Sequence, residues 1–261
     1  MVTLGAKPGW RDRLPAGLPE LSEALLLTCG EFPFSERALR LSRQPLAVGL
    51  ASFGEILQPG SFEGLGRRKI FMDQQVEEAI DAGAGQVLVL GAGFDTLGLR
   101  LAAEYPGLRF FEIDHPDTGR AKARAIDALG RPDNLCLVAA DLANQSLSEV
   151  LEENGEWESG ALSVVVAEGL LYYLPSVAVK SLFAELSRVI PAGSRVAFSH
   201  LFDARSYRLA RAALRIGGEP WLSASTTEKL PSYIGPGWEI IAARPGRRYR
   251  DLESLAVAQR L

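Results

Sequence analysis

Five apolar runs in this chain each end on a residue that can bind or react. Residues 86–90 run into Gly91-Ala92-Gly93-Phe94-Asp95-Thr96, and residues 108–113 end at Asp114. Residues 135–139 end at Asp141, residues 162–167 at Glu168, and residues 195–198 near His200. Each terminus has a physical use. Gly91 and Gly93 permit positive φ and let backbone N–H groups approach a ligand closely. Asp114 lies 21 residues past Gly93, near the spacing expected of an acid that accepts from both ribose hydroxyls. A carboxylate there is a two-oxygen acceptor suited to a vicinal diol. Asp141 can accept from the exocyclic amine of adenine. Leu142 beside it supplies a backbone N–H and an apolar wall. Together these residues describe an adenosine pocket.

The loop also speaks to which adenosine ligand. The dinucleotide fingerprint needs Gly or Ala where this chain has Thr96. Asp95 would sit beside a pyrophosphate, and like charges repel. A cationic ligand tolerates that acid, which favours S-adenosylmethionine, with its sulfonium and ammonium, over a nicotinamide dinucleotide. The cofactor's carboxylate then needs a cation, and Arg68 is the candidate. Each residue also has a plainer reading. Asp114 and Asp141 can be helix caps, Glu168 a solvated turn residue and Arg68 a surface arginine. Tyr172 and Tyr173 can pack at a core edge, and His200 can be a hydrogen-bonded structural histidine. The strand-end placement of the acids favours the functional reading.

The elements that must position these groups alternate in type. Helices are expected over 99–105, 119–129, 147–154 and 177–190, between the five apolar runs. Strands alternating with helices predict a parallel sheet covered on both faces. Arg120, Lys122, Arg124 and Asp127 are expected on the exposed side of the second of those helices. Past residue 200 the alternation breaks. Helices are expected over 205–215 and 226–233, then two closing strands over 238–243 and 254–259 as an antiparallel edge. The fold class is thus α/β, a Rossmann-like doubly wound, mostly parallel seven-stranded sheet with an antiparallel edge and an N-terminal helical lid. Before the first strand, residues 1–20 read as a loose arm, rich in Gly, Pro and charge. Helical spacing recurs over 20–28 and 70–82, with a helix start at Ser35 and a turn at 58–61. The chain divides into an arm and lid over 1–66 and a cofactor-binding core over 67–261, one compact domain in all.

Composition bounds the rest. The chain has 261 residues, 47% hydrophobic and 23% charged, an ordinary globular balance. Net charge is −4, and the densest basic stretch, Gly66-Arg67-Arg68-Lys69, is too short for a nucleic-acid track. No nucleic-acid partner is expected. Two cysteines, Cys29 and Cys136, lack metal-type partners nearby, and the two histidines are His115 and His200. No metal site is expected. Cys136, in an apolar run, reads as a buried small hydrophobe. No run reaches membrane-spanning length, and the N-terminus lacks a signal-peptide core. A reducing cytoplasm is the expected compartment.

Three motifs in order carry a family resemblance. Val89-Leu90-Gly91-Ala92-Gly93-Phe94-Asp95-Thr96 resembles the LGAGxDT loop of the leucine carboxyl methyltransferase family. Phe111-Glu112-Ile113-Asp114-His115-Pro116 resembles its E-[VI]-D-x-P segment, and residues 167–175 its AEGLLxYLP segment. Arg68 to Asp73 resembles its arginine-containing helix, and Gly218-Glu219-Pro220-Trp221 is a weaker echo. The resemblance implies an S-adenosylmethionine-dependent O-methyltransferase of the bacterial, polyketide-associated branch. It implies that Arg68 holds the cofactor carboxylate and that Gly91, Ala92, Gly93 and Asp95 line its methionine and ribose region. Asp114 would take the ribose, Asp141 and Leu142 the adenine. Glu168 would face the methionine amine or the mouth of the acceptor site. The N-terminal third lacks an expected Asp-Pro segment, so the acceptor is the least defined partner. A small-molecule acceptor bearing a carboxylate or hydroxyl is expected. A carboxylate needs no base, whereas a hydroxyl would need one, with Tyr172 and His200 as the catalytic candidates. The competing readings are a protein C-terminal carboxyl methyltransferase, a nicotinamide-binding oxidoreductase, and a protein that holds the cofactor without turnover.

Overall fold

A computed structural model describes residues 1–29, 41–48, 63–142, 144–201, 221–246 and 253–261. The helix start at Ser35, the turn at 58–61, the helix over 205–215 and the segment 218–220 lie outside these residues. The described chain contains seven strands: β1 (Gln86–Leu90), β2 (Arg109–Asp114), β3 (Leu135–Ala139), β4 (Ser163–Ala167), β5 (Arg195–Leu201), β6 (Trp238–Arg244) and β7 (Glu253–Arg260). They form one sheet in the order β3-β2-β1-β4-β5-β7-β6. The first five are parallel. The closing pair is antiparallel, as its position after the last crossover suggested, with β7 inserted between β5 and β6. Strand order reverses between β1 and β4, which makes their C-terminal ends the switch point where open sheets of this kind bind ligands.

Helices cover both faces. On one lie α3 (Glu63–Asp81), α4 (Leu97–Glu104) and α5 (Pro116–Leu129). On the other lie α6 (Leu147–Asn154), α7 (Ser176–Val189) and α8 (Leu230–Ile234). The two apolar layers follow from strand alternation. Val87 and Val89 point into the first layer, Leu88 and Leu90 into the second. β1 and β4 are buried along their whole length, as an apolar run without alternation requires.

Four expectations change. The N-terminal segment is no loose arm. It folds into α1 (Val2–Gly5), a 3-10 turn (Arg11–Arg13) and α2 (Leu18–Cys29). Leu4, Trp10, Leu14 and Leu18 bury one another, with Met1 and Ile70 packed on them. Their irregular spacing hides this cluster from periodicity. Lys122 is buried rather than exposed, because α5 turns it toward the sheet with Ala125 and Ile126. Cys136 is only partly buried, since β3 is an edge strand. His200 lies inside β5, which continues to Leu201, rather than after its end. Among the described residues, no helix is long and apolar enough to cross a membrane.

Candidate active site

Gly91 and Gly93 take φ of 63° and 46° at the end of β1. A Cβ on Gly93 would meet none of the described residues within 4 Å. Across the switch point, Asp114 Oδ2 accepts from the Gly93 N–H at 2.9 Å, and Oδ1 accepts from the His115 N–H at 2.8 Å. Each carboxylate oxygen retains further accepting capacity. Asp114 does not cap the following helix. That role falls to His115, whose Nδ1 accepts from the Asp117 N–H. Asp141, at the end of β3, accepts from Asn144 Nδ2 at 2.7 Å, and its own N–H donates to Gln145 Oε1. Its carbonyl also accepts from the N–H groups of Asn144 and Gln145, so it organises a turn. Leu142 packs partly buried against the second apolar layer. The glycine loop, Asp114 and Asp141 thus close three adjacent strands.

Beside them runs a chain of five alternating charges. Lys69 Nζ lies 2.9 Å from Asp95 and 2.8 Å from Glu168. Arg68 Nε donates to Glu168 at 2.7 Å, and Arg68 Nη1 pairs closely with Glu253. The chain links the glycine loop, the end of β4, the start of β7 and helix α3. Two cations face three carboxylates, so the cluster carries one net negative charge. Burial would raise the Asp95 pKa, but Lys69 and Lys122 outweigh it and hold the group at about 2. Burial works against the Arg68 charge, and Glu253 and Glu168 more than restore it. Glu168 Oε2 and Glu253 Oε2 are buried with no hydrogen-bond partner among the described residues. They are acceptors in wait of a donor.

This arrangement modifies the reading of two residues. Asp95 already has Lys69 as counter-ion, so its lone charge does not select the ligand; the net charge of the whole cluster does. Arg68 is already paired, yet a guanidinium has five N–H donors, and these contacts use Nε and Nη1. Lys69 and Glu253 escaped the sequence reading. Lys69 sits beside Arg68 in the same motif and was available to it. Glu253 had no signal, because only the sheet brings β7 beside β5.

The two catalytic candidates differ from what a base requires. Tyr172 donates to Glu253 Oε1 at 3.3 Å, and burial together with that carboxylate pushes its phenol well up. His200 Nδ1–H donates to the Leu201 carbonyl at 3.3 Å, and its ring lies near Phe198 and Tyr233. Its Nε2 is buried with no hydrogen-bond partner among the described residues, and burial pushes the pKa down to about 4. Elsewhere, a cavity of about 640 Å³ opens between the N-terminal segment and helices α3, α4 and α5, floored by the Asp73–Arg100 ion pair. It shares no residue with the strand-end cluster. The strand ends carry the functional reading, because they hold the chemistry and lie at the switch point.

The chain is similar to known proteins over most of its length. Residues 41–187 match the family model described as leucine carboxyl methyltransferase. A candidate S-adenosyl-L-methionine-dependent methyltransferase of Streptomyces avermitilis is 32% identical over 226 residues, 78% of each chain. One from Saccharopolyspora erythraea is 30% identical, covering 84% of this chain and 76% of the relative. The crystal structure of a candidate methyltransferase from Thermobifida fusca superposes with a TM-score of 0.64 at 19% identity, over 97% of each chain.

Proposed function

The chain belongs to the leucine carboxyl methyltransferase family and is an S-adenosylmethionine-dependent methyltransferase, and we propose that it methylates a carboxylate oxygen of a small molecule. The observation that carries the cofactor assignment to these residues is the charge chain from Asp95 to Glu253. Its net charge of minus one complements a ligand bearing sulfonium, ammonium and carboxylate together. When bound, the cofactor supplies a methyl group on a sulfur that departs as a neutral thioether.

The chain's own residues would do the rest. Asp114 receives ribose hydroxyls while the Gly93 amide holds its carboxylate in place. Asp141 and Leu142 border the adenine. Arg68 holds the carboxylate of the methionine end, and the unpartnered Glu168 oxygen takes its ammonium. Gly91, Ala92 and Gly93 let the backbone close on the ligand. Catalysis then rests on alignment and exclusion of water rather than on a strong acid or base.

The carboxylate acceptor follows from the two candidate bases. His200 is buried and takes up a proton only weakly, which makes it a poor base, and the Tyr172 phenol holds its proton tightly. A carboxylic acid arrives already ionised and needs neither. A polyketide-derived acid falls within this class, and the unpaired thiols of Cys29 and Cys136 suit a reducing cytoplasm.

Calorimetry with S-adenosylhomocysteine tests the site. The intact chain should bind it, and Asp114→Ala should weaken binding about tenfold or more, the scale of a charge-assisted hydrogen bond. Methyl-labelled cofactor in lysate tests the acceptor. Base-labile label in the organic extract is the expected result. Label confined to protein would move the assignment to a protein carboxylate, and base-stable label to a hydroxyl.

A further inference from the structure

Beneath the glycine loop lies a buried ion pair that the proposed chemistry does not use. Lys122 Nζ is 2.7 Å from Glu112 Oε2, and both side chains are 2% exposed. Glu112 stands on β2 two residues before Asp114, and Lys122 on α5. Gly98, in the first turn of α4, has no side chain because a Cβ there would collide with the Glu112 carboxylate. Lys122 also donates to the Ala92 carbonyl at 3.4 Å.

That carbonyl belongs to the same peptide group as the Gly93 N–H. A peptide group is planar, so its C=O and N–H point in opposite directions and turn together. One end of this plane accepts from the Asp95 N–H at 2.9 Å and from Lys122 at 3.4 Å, and the other donates to Asp114 Oδ2. We propose that Lys122, aimed by Glu112, is a positioning residue that fixes the Ala92–Gly93 peptide and, through it, the Asp114 carboxylate. The proposal rests on the assignment of Asp114 to a ribose.

The plainer account is a core ion pair that merely joins β2 to α5. Buried ion pairs are poor at that task, and apolar pairs of similar size often serve as well or better. An apolar pair cannot hold a carbonyl, however. Nor can it add to the positive field that keeps Asp95 ionised, a field in which Lys122 takes part. Sequence carries a trace of the device. Lys122 shares helical spacing with buried Ala125 and Ile126, and Glu112 interrupts an apolar strand.

The discriminating variant is Glu112→Leu with Lys122→Met in the full chain. Its readouts are thermal unfolding and calorimetric affinity for S-adenosylhomocysteine and for its 2′-deoxyribose analogue. The expected result is a melting temperature close to wild type with affinity for the ribose ligand reduced about tenfold, the scale of one hydrogen bond to a charged group. Preference for ribose over deoxyribose should fall by a similar factor. A folded double variant that keeps both affinity and preference overturns the proposal. If that variant does not fold, the neutral pair Glu112→Gln with Lys122→Gln is read the same way, since the shorter glutamine side chain no longer reaches the Ala92 carbonyl. Failure of wild type to bind S-adenosylhomocysteine would instead sink the assignment of the pocket.

Discussion

Arg68 and Glu253 show how far a residue's chemistry depends on neighbours that sequence order does not reveal. Arg68, Asp95 and Glu168 were legible because each falls in a motif at a strand end or on the preceding helix. What was not legible is that they form one cluster, closed by Lys69 and Glu253. Expecting Lys122 on the solvent face erred for a related reason. A lysine is rarely buried without a partner, and its partner, Glu112, lies ten residues earlier on another element. Glu253 gives the residue-scale prediction. Glu253→Gln removes the cluster's excess negative charge and leaves Arg68 paired with Glu168. A ligand with a positive sulfur should then lose affinity relative to one with a neutral sulfur. At the dielectric of a partly buried site, a factor of about three to ten is expected. Parallel calorimetry with S-adenosylmethionine and S-adenosylhomocysteine measures the ratio, and an unchanged ratio would remove Glu253 from the site.

At the scale of elements, legibility followed periodicity. The five parallel strands and the helices between them announced themselves through apolar runs and helical spacing, with ends shifted by a few residues. Helix α3 begins at Glu63 rather than near residue 70. This extension places Arg68 and Lys69 on a rigid element whose buried face, Phe71, Met72 and Val76, is locked in the first apolar layer. The N-terminal segment was missed because its cluster is built from singly placed side chains on short turns. Trp10 is its centre, 3% exposed, with the Arg13 guanidinium 4.4 Å above its ring. It packs where Gly66 of α3 leaves no Cβ in the way. Removing a buried tryptophan side chain costs about 3–5 kcal/mol, more than so small a cluster can spare. Trp10→Ala should therefore release the first turns while the sheet stays folded. Brief trypsin treatment would report this as rapid cleavage at Arg11 or Arg13 with the remainder intact. A variant as resistant as wild type would show that Trp10 does not dock the segment.

The whole molecule determines what His200 can do. From sequence it lay at the end of a fifth strand, where a base would be useful. In the sheet, β5 runs past the end of β4 beside antiparallel β7, where His200 pairs with Ser254 one position before the ladder ends and its ring lies near Phe198 and Tyr233. The ring is consequently buried, and its charged form is disfavoured. This links a local pKa to global stability. In the unfolded chain the group has its ordinary value of 6.5, and in the folded chain about 4. As pH falls below 6.5 the unfolded chain takes up a proton that the folded chain refuses. Stability is therefore complete above that value, falls between 6.5 and 4, and is level again below 4 with respect to this group. Asp95 acts in the same sense at lower pH: its carboxylate pKa is lowered to about 2, so its contribution is lost only as pH falls from the ordinary 3.8 toward that value. The two windows do not overlap. Between pH 8 and pH 5 the His200 linkage amounts to about 2 kcal/mol. Denaturant unfolding at both pH values should show a loss of that order in wild type and a clearly smaller loss in His200→Gln, whose side chain does not titrate. Equal losses in both proteins would mean that the ring protonates readily in the folded state, and would return His200 to consideration as a base.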